Sequence, residues 1–145
     1  MSVFAGGIKL NIAFCMGRRG ELFFNNRRVA RDEYAILDLI NTVGEKKLYI
    51  KPYSERLFRE FGGYILSNDP LSECGEDDFC FVEGEDVARG FSKAKRIIIY
   101  NFSVEYPYDI KFDTPPAEHG FTRVDSKKMR GFAHDKIVKD VYIKE

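Results

Sequence analysis

Apolar positions along this chain fall into short runs, and their spacing switches between the period of a strand and the period of a helix. Ile8 to Met16 is a continuous apolar run halted by Gly17, the pattern of a buried first strand. Gly17 to Arg31 is polar and rich in Gly, Asn and Arg, with Leu22-Phe23-Phe24 as its apolar island, which predicts a long loop or a short hairpin. Asp32 then opens a helix in which Ile36, Ile40 and Val43 recur at helical spacing with Leu37 and Leu39 beside them, and Gly44 supplies the stop. Lys47 to Lys51 predicts a short strand, broken by Pro52. Ser54 is placed to cap a short helix carrying Leu57, Phe58 and Phe61, which Gly62-Gly63 closes. Tyr64 to Ser67 predicts a third strand, Asn68-Asp69-Pro70 a turn, Asp78 to Glu83 a fourth strand and Glu85 to Phe91 a turn or two of helix.

Arg96 to Phe102, with three consecutive Ile residues, is the most strand-like segment. Asp109 to Asp113, Phe121 to Val124 and Lys136 to Lys144 complete the chain. Strands alternate with helices early and stand alone at the end. That order predicts one α/β domain spanning residues 1–145, with a mainly parallel sheet, flanking helices and a C-terminal antiparallel hairpin.

Charge narrows the range of partners. Lys plus Arg and Asp plus Glu both number 23, so no global field draws the chain to nucleic acid or to an anionic surface. Basic residues cluster locally at Arg18-Arg19, at Arg27-Arg28 with Arg31, and at Lys127-Lys128 with Arg130. RNA binding through the arginine loop and Tyr53, Tyr100 or Tyr106 is conceivable on that basis but not favoured. The 13 Phe predict an aromatic core. Cys15, Cys74 and Cys80 lack metal-site spacing, and with two distant His no metal site is expected. The start Met1-Ser2-Val3-Phe4 has no basic lead and no apolar stretch long enough for a signal peptide or a span. A cytoplasmic setting with reduced cysteines is expected, and no membrane partner.

Four ordered stretches carry a resemblance. Val29-Ala30-Arg31-Asp32-Glu33 looks like an L-P-x-[DE]-L segment. Lys47 to Ser54 followed by Tyr64-Ile65-Leu66-Ser67 is similar to a strand, a G-R-x-T turn, a short helix and an I-I-L-[ST] strand. Ser92 to Ile99 looks like P-x-A-x-x-[LI]-x-[LI], and Gly131 to Ile143 like S-H-x-Y-x-F-x-x-[LY]. The series resembles dihydrofolate reductase, over roughly residues 8 to 144. Gly131-Phe132-Ala133-His134-Asp135-Lys136 also resembles the G-x-S-H-E-K-I ending of a group of short bacterial proteins of no assigned activity.

The family's functional positions are mostly lost. Its G-R-x-T turn holds NADPH phosphates, whereas Lys51-Pro52-Tyr53-Ser54 has no glycine and no guanidinium, and proline removes an N–H. Ser54 alone remains to touch a phosphate. Where the family sets a Gly-Gly pair against the pyrophosphate, this chain has Phe81-Val82-Glu83-Gly84-Glu85, and Glu83 would repel that group. Where the family clamps the substrate tail with an Arg stands Phe61-Gly62-Gly63, and Arg59 is a poor stand-in. Asp32, the residue that holds the pterin in the family, does match.

The resemblance therefore implies the scaffold without the reductase, with no cofactor bound. The expectation is a binding domain that takes a protein or a small polar ligand at the old cleft. Arg27, Arg28 and Arg31 would grip an anionic group, and Glu83 marks either a groove for a cation or one that has filled in. The alternatives are a small enzyme with Asp32 and His134 as acid and base, or a divergent NADPH-dependent reductase. Asp135 and Lys136 alternate like an exposed strand end, so a polar hairpin face is expected here in preference to an Asp32–His134 dyad, with no set direction for His134.

Overall fold

The computed structural model describes residues 9–144. Strand β1 (Leu10–Met16) realises most of the first apolar run, and Ile8 lies outside the described residues. Its side chains alternate. Leu10, Ile12 and Phe14 pack into one core layer, while Ala13 and Cys15 face the other. Strand β2 (Glu21–Phe24) and strand β3 (Arg27–Arg28) form the short hairpin. Its two connecting residues, Asn25 and Asn26, have φ of 51° and 62°, the mirror-image turn that matches strand twist and that asparagine tolerates.

Helix α1 (Glu33–Val43) buries Ala35, Ile36, Leu39 and Val43. Asp32 is its N-cap, accepting from the Tyr34 N–H, and Gly44 ends it with φ 60°. Strand β4 (Leu48–Ile50) follows, then a tight turn over Pro52–Ser54 and helix α2 (Glu55–Phe58). Next come strand β5 (Ile65–Leu66), helix α3 (Pro70–Glu73), strand β6 (Phe79–Phe81) and helix α4 (Asp86–Phe91). Strand β7 (Ala94–Asn101) pairs in parallel with β1 along its length. Strand β8 (Ile110–Lys111), strand β9 (Phe121–Met129) and strand β10 (Ile137–Lys144) complete the elements.

Among the described residues the strands form two sheets. The larger runs β5-β4-β6-β1-β7-β10-β9, parallel from β5 to β7 and closed by the antiparallel β9–β10 hairpin. The smaller, β3-β2-β8, is antiparallel, and its Leu22, Phe23 and Ile110 pack onto one core layer of the large sheet. Two apolar layers sandwich the large sheet. One joins α1 and Phe58 to Ile98, Tyr100 and Phe102; the other joins Val87 and Leu71 to Ile97, Ile99 and Phe121.

The chain is thus α/β with a mostly parallel sheet. Helix α3 begins at Pro70, the last residue of the predicted turn, and fills 71–73, where no element was predicted, because Asp69 and Pro70 supply the start of a helix as well as of a turn. Strand β9 runs five residues beyond Val124, along an edge where polar side chains are free to face solvent. A bulge interrupts its pairing with β10 between Val141 and Tyr142.

Candidate functional site

The carboxyl ends of the parallel strands carry the chemistry, the edge where open α/β sheets place their sites. Asp32 leads from this edge into α1, and its side chain is fully enclosed. Oδ1 accepts from Tyr34 N at 2.9 Å and Phe132 N at 2.7 Å; Oδ2 accepts from Ala133 N at 2.9 Å and lies 2.8 Å from His134 Nδ1. A carboxylate has about four lone-pair sites, and this one fills four. Burial pushes the Asp32 carboxyl up, but the hydrogen bonds from His134, Phe132, Ala133 and Tyr34 outweigh it and hold it below the ordinary carboxylate value.

His134 therefore sits on Asp32, the contact that the alternation of Asp135 and Lys136 argues against. Asp135 and Lys136 are exposed in the loop before β10, but the chain doubles back through Gly131 N→His134 O at 2.8 Å and turns the imidazole inward. The ring packs on Phe102 with centroids 4.7 Å apart. Its Nε2 meets the Tyr106 hydroxyl at 3.2 Å, so both ring nitrogens have partners. With Asp32 accepting from Nδ1–H, Nε2 is the acceptor and Tyr106 the donor. Burial raises the Tyr106 phenol, and the charges of Glu21 and Asp32 raise it further, keeping it protonated. Glu21, fully enclosed, holds this corner by accepting from Arg19 N and from Tyr106 N at 2.8 Å.

The second cluster forms around Glu83. Arg28 reaches from the hairpin and binds it with both arms, Nε–Oε2 at 2.6 Å and Nη2–Oε1 at 2.9 Å. The Ser54 hydroxyl donates to Oε1 at 2.7 Å, so Ser54 binds a side chain instead of capping α2, for which it makes no side-chain bond. The guanidinium also donates to Tyr53 O at 3.0 Å and lies 4.4 Å over the Tyr53 ring. Gly84, with φ 61°, has the Phe23 ring against it, where an added Cβ would approach to 3.2 Å. The hairpin thus packs against Glu83 and Gly84.

Arg28 is thus committed, while Arg27 and Arg31 are exposed and do not converge with it on a common anion site. Tyr100 is buried, with its hydroxyl on Asp38 at 2.7 Å, which removes it as a stacking platform. Cys15 lies between the two clusters. Burial raises its thiol, the charges of Glu83 and Asp32 add to that, and Arg28 opposes them, so it is a thiol and not a nucleophile. Cavities of about 350 Å³ and about 340 Å³ adjoin the two clusters, one beside Asp32, Ile36 and Phe132, the other beneath Phe23 and Tyr53.

Sequence reasoning offered Tyr106 only as a stacking platform for RNA and missed Glu21, which no local pattern distinguishes from other polar residues of the hairpin. Among the described residues no three His, Cys, Asp or Glu side chains converge as a metal site, and no helix is long and apolar enough to cross a membrane. No family model matches the chain, and no curated protein is similar to it in sequence.

Proposed function

We propose that this chain is a binding domain on a dihydrofolate-reductase-like scaffold, without reductase chemistry. The observation that carries the proposal is Asp32, whose acceptor sites are taken by Tyr34 N and by Phe132, Ala133 and His134, leaving none for a pterin edge. Glu83 supports it by setting a carboxylate, bound to Arg28, where a pyrophosphate would have to lie, and Phe23 by packing on Gly84. The mainly parallel sheet and its terminal antiparallel hairpin support the scaffold. Ligand or protein is then met at the rim of the old cleft, where Tyr34 and Phe132 stack edge to face, 5.5 Å apart and exposed.

The test is titration with NADPH and with dihydrofolate, followed by fluorescence and by melting temperature. Neither compound is expected to stabilise the protein by mass action, and the pair together should show no turnover. Saturation by NADPH at micromolar concentration, with turnover lost in Asp32→Asn, would restore the reductase.

The Asp32–His134 contact favours one other reading, an acid–base site relayed to Tyr106. It requires Tyr106 to leave Nε2 when a substrate arrives. Titrating the histidines by NMR in the parent and in Tyr106→Phe would separate the readings. A substrate-class compound that shifts the His134 ring signals only once the phenol is gone supports the structural role.

A further inference from the structure

Helix α1 buries Ala35, Ile36, Leu39 and Val43, yet its open side also carries apolar side chains, Tyr34 and Leu37, one turn apart. Neighbouring loops bring two more aromatic residues to this region. The 131–134 loop spends the N–H groups of Phe132 and Ala133 on Asp32, which leaves the Phe132 ring outside, edge to face on Tyr34. At 62% it is the most exposed large apolar side chain among the described residues. Beyond α2 the chain turns back with Phe61 N and Gly62 N both on Phe58 O, and Phe61 is left at the surface. Single apolar side chains scattered over a surface mean little, but a group gathered round one hollow marks a contact.

That hollow is the cleft of about 350 Å³ between α1 and α2, walled by Ile36, Leu57, Phe61 and Phe132. Its rim carries four charges, Arg31 and Glu33 at the start of α1, and Arg56 and Glu60 on the α2 side. All four are exposed, and none makes an ion pair among the described residues. The signs balance on this patch as they do over the whole chain, 23 against 23, so no field holds two copies apart.

We propose that this patch is an isologous interface between two copies of the chain. A two-fold axis laid along the cleft sets α1 of each copy over α2 of the other. Glu33 then faces Arg56 of the second copy, and Arg31 faces its Glu60. Phe132 stands on the wall of one hollow and enters the other, so knob and hollow are exchanged within one patch. Other occupants fit less well. A purely acidic or purely basic peptide leaves two of the four charges against their own sign, and a small ligand in the cleft leaves Tyr34 and Leu37, which lie outside its walls, uncovered. The inference gives the binding domain proposed above its partner and rests on that reading only for the place of contact.

Sedimentation velocity and 15N-resolved spectra, from micromolar to sub-millimolar protein, test it. The parent is expected to pass from one to two copies per particle, with concentration-dependent shifts at the amides of residues 31–37, 56–61 and 131–133. Phe132→Ser, at a ring the single chain leaves exposed, should weaken dimerisation by about tenfold or more, the loss of a central aromatic anchor. Glu33→Arg and Arg56→Glu should each weaken it by about as much, since like charges then meet twice across the axis. The two changes together should restore it, because the exchanged pair is complementary again. A chain that stays monomeric throughout overturns the proposal. So does a dimer whose affinity these changes leave alone, a double variant no better than the singles, or shifts confined to residues 121–129 of the β9 edge. The NADPH titration decides the reductase question separately, so a monomer overturns the pairing and leaves the loss of reductase chemistry standing.

Discussion

Asp32 holds the 131–134 loop with a carboxylate that only a carboxylate can replace. In Asp32→Asn one end of the side chain becomes a donor facing other donors, Ala133 N and His134 Nδ1. A loss of about 2–4 kcal/mol at neutral pH is expected, measured by urea unfolding. The pH dependence follows from the lowered carboxyl. Its stabilisation is present in full above the unfolded value of about 3.9 and is lost as pH falls through the lower folded value. Stability of the parent should therefore fall more steeply below about pH 4 than that of Asp32→Asn; equal acid slopes would contradict the described contacts. Arg28 and Glu83 are half of a different experiment. Removing either partner of a largely buried pair costs about 3–5 kcal/mol because the other is stranded. Arg28→Met with Glu83→Gln should cost clearly less than the two single changes added together.

At the scale of elements, the loop between β9 and β10 is seated by proximity as much as by bonding. A Cβ on Gly131 would stand 2.6 Å from Asp32 Oδ2 and 2.8 Å from Ile137 Cδ1. Gly131→Ala is therefore expected to shift the loop and change the His134 ring signals in NMR spectra, while amides of the central strands keep theirs. In the β2–β3 turn, Asn26→Gly should raise stability by up to about 0.5–1 kcal/mol, since glycine enters φ 62° without steric cost. A lower melting temperature would mean the Asn26 side chain holds the turn in some other way. The elements themselves were legible where one period dominates: β1, β7 and α1 could be read from Ile, Leu and Val spacing alone. The short β5 and β6 were bounded less closely, and α3 was hidden because Asp69-Pro70 serves turns and helices alike.

Across the whole molecule, the α/β order was legible because each strand and helix announces itself locally. The site was legible only in parts. Asp32, His134, Arg28, Ser54 and Glu83 could be singled out, but Asp32 meets Ala133 across 101 residues of chain and Arg28 meets Glu83 across 55. No local pattern encodes such meetings, which explains why the sequence left Glu83 open between a ligand groove and a filled one and did not name Arg28 as its partner. The same scale governs how the large sheet ends. Strand β9, nine residues long and paired with β10 on one side, leaves its other backbone edge open to solvent, a template on which another chain could add as a strand. Its bulge breaks the regular spacing a newcomer must match, and Lys127-Lys128 sets like charge against like in any stack of copies. Replacing both lysines with Thr is expected to give concentration-dependent light scattering and thioflavin-positive fibres on warming, where the parent stays clear.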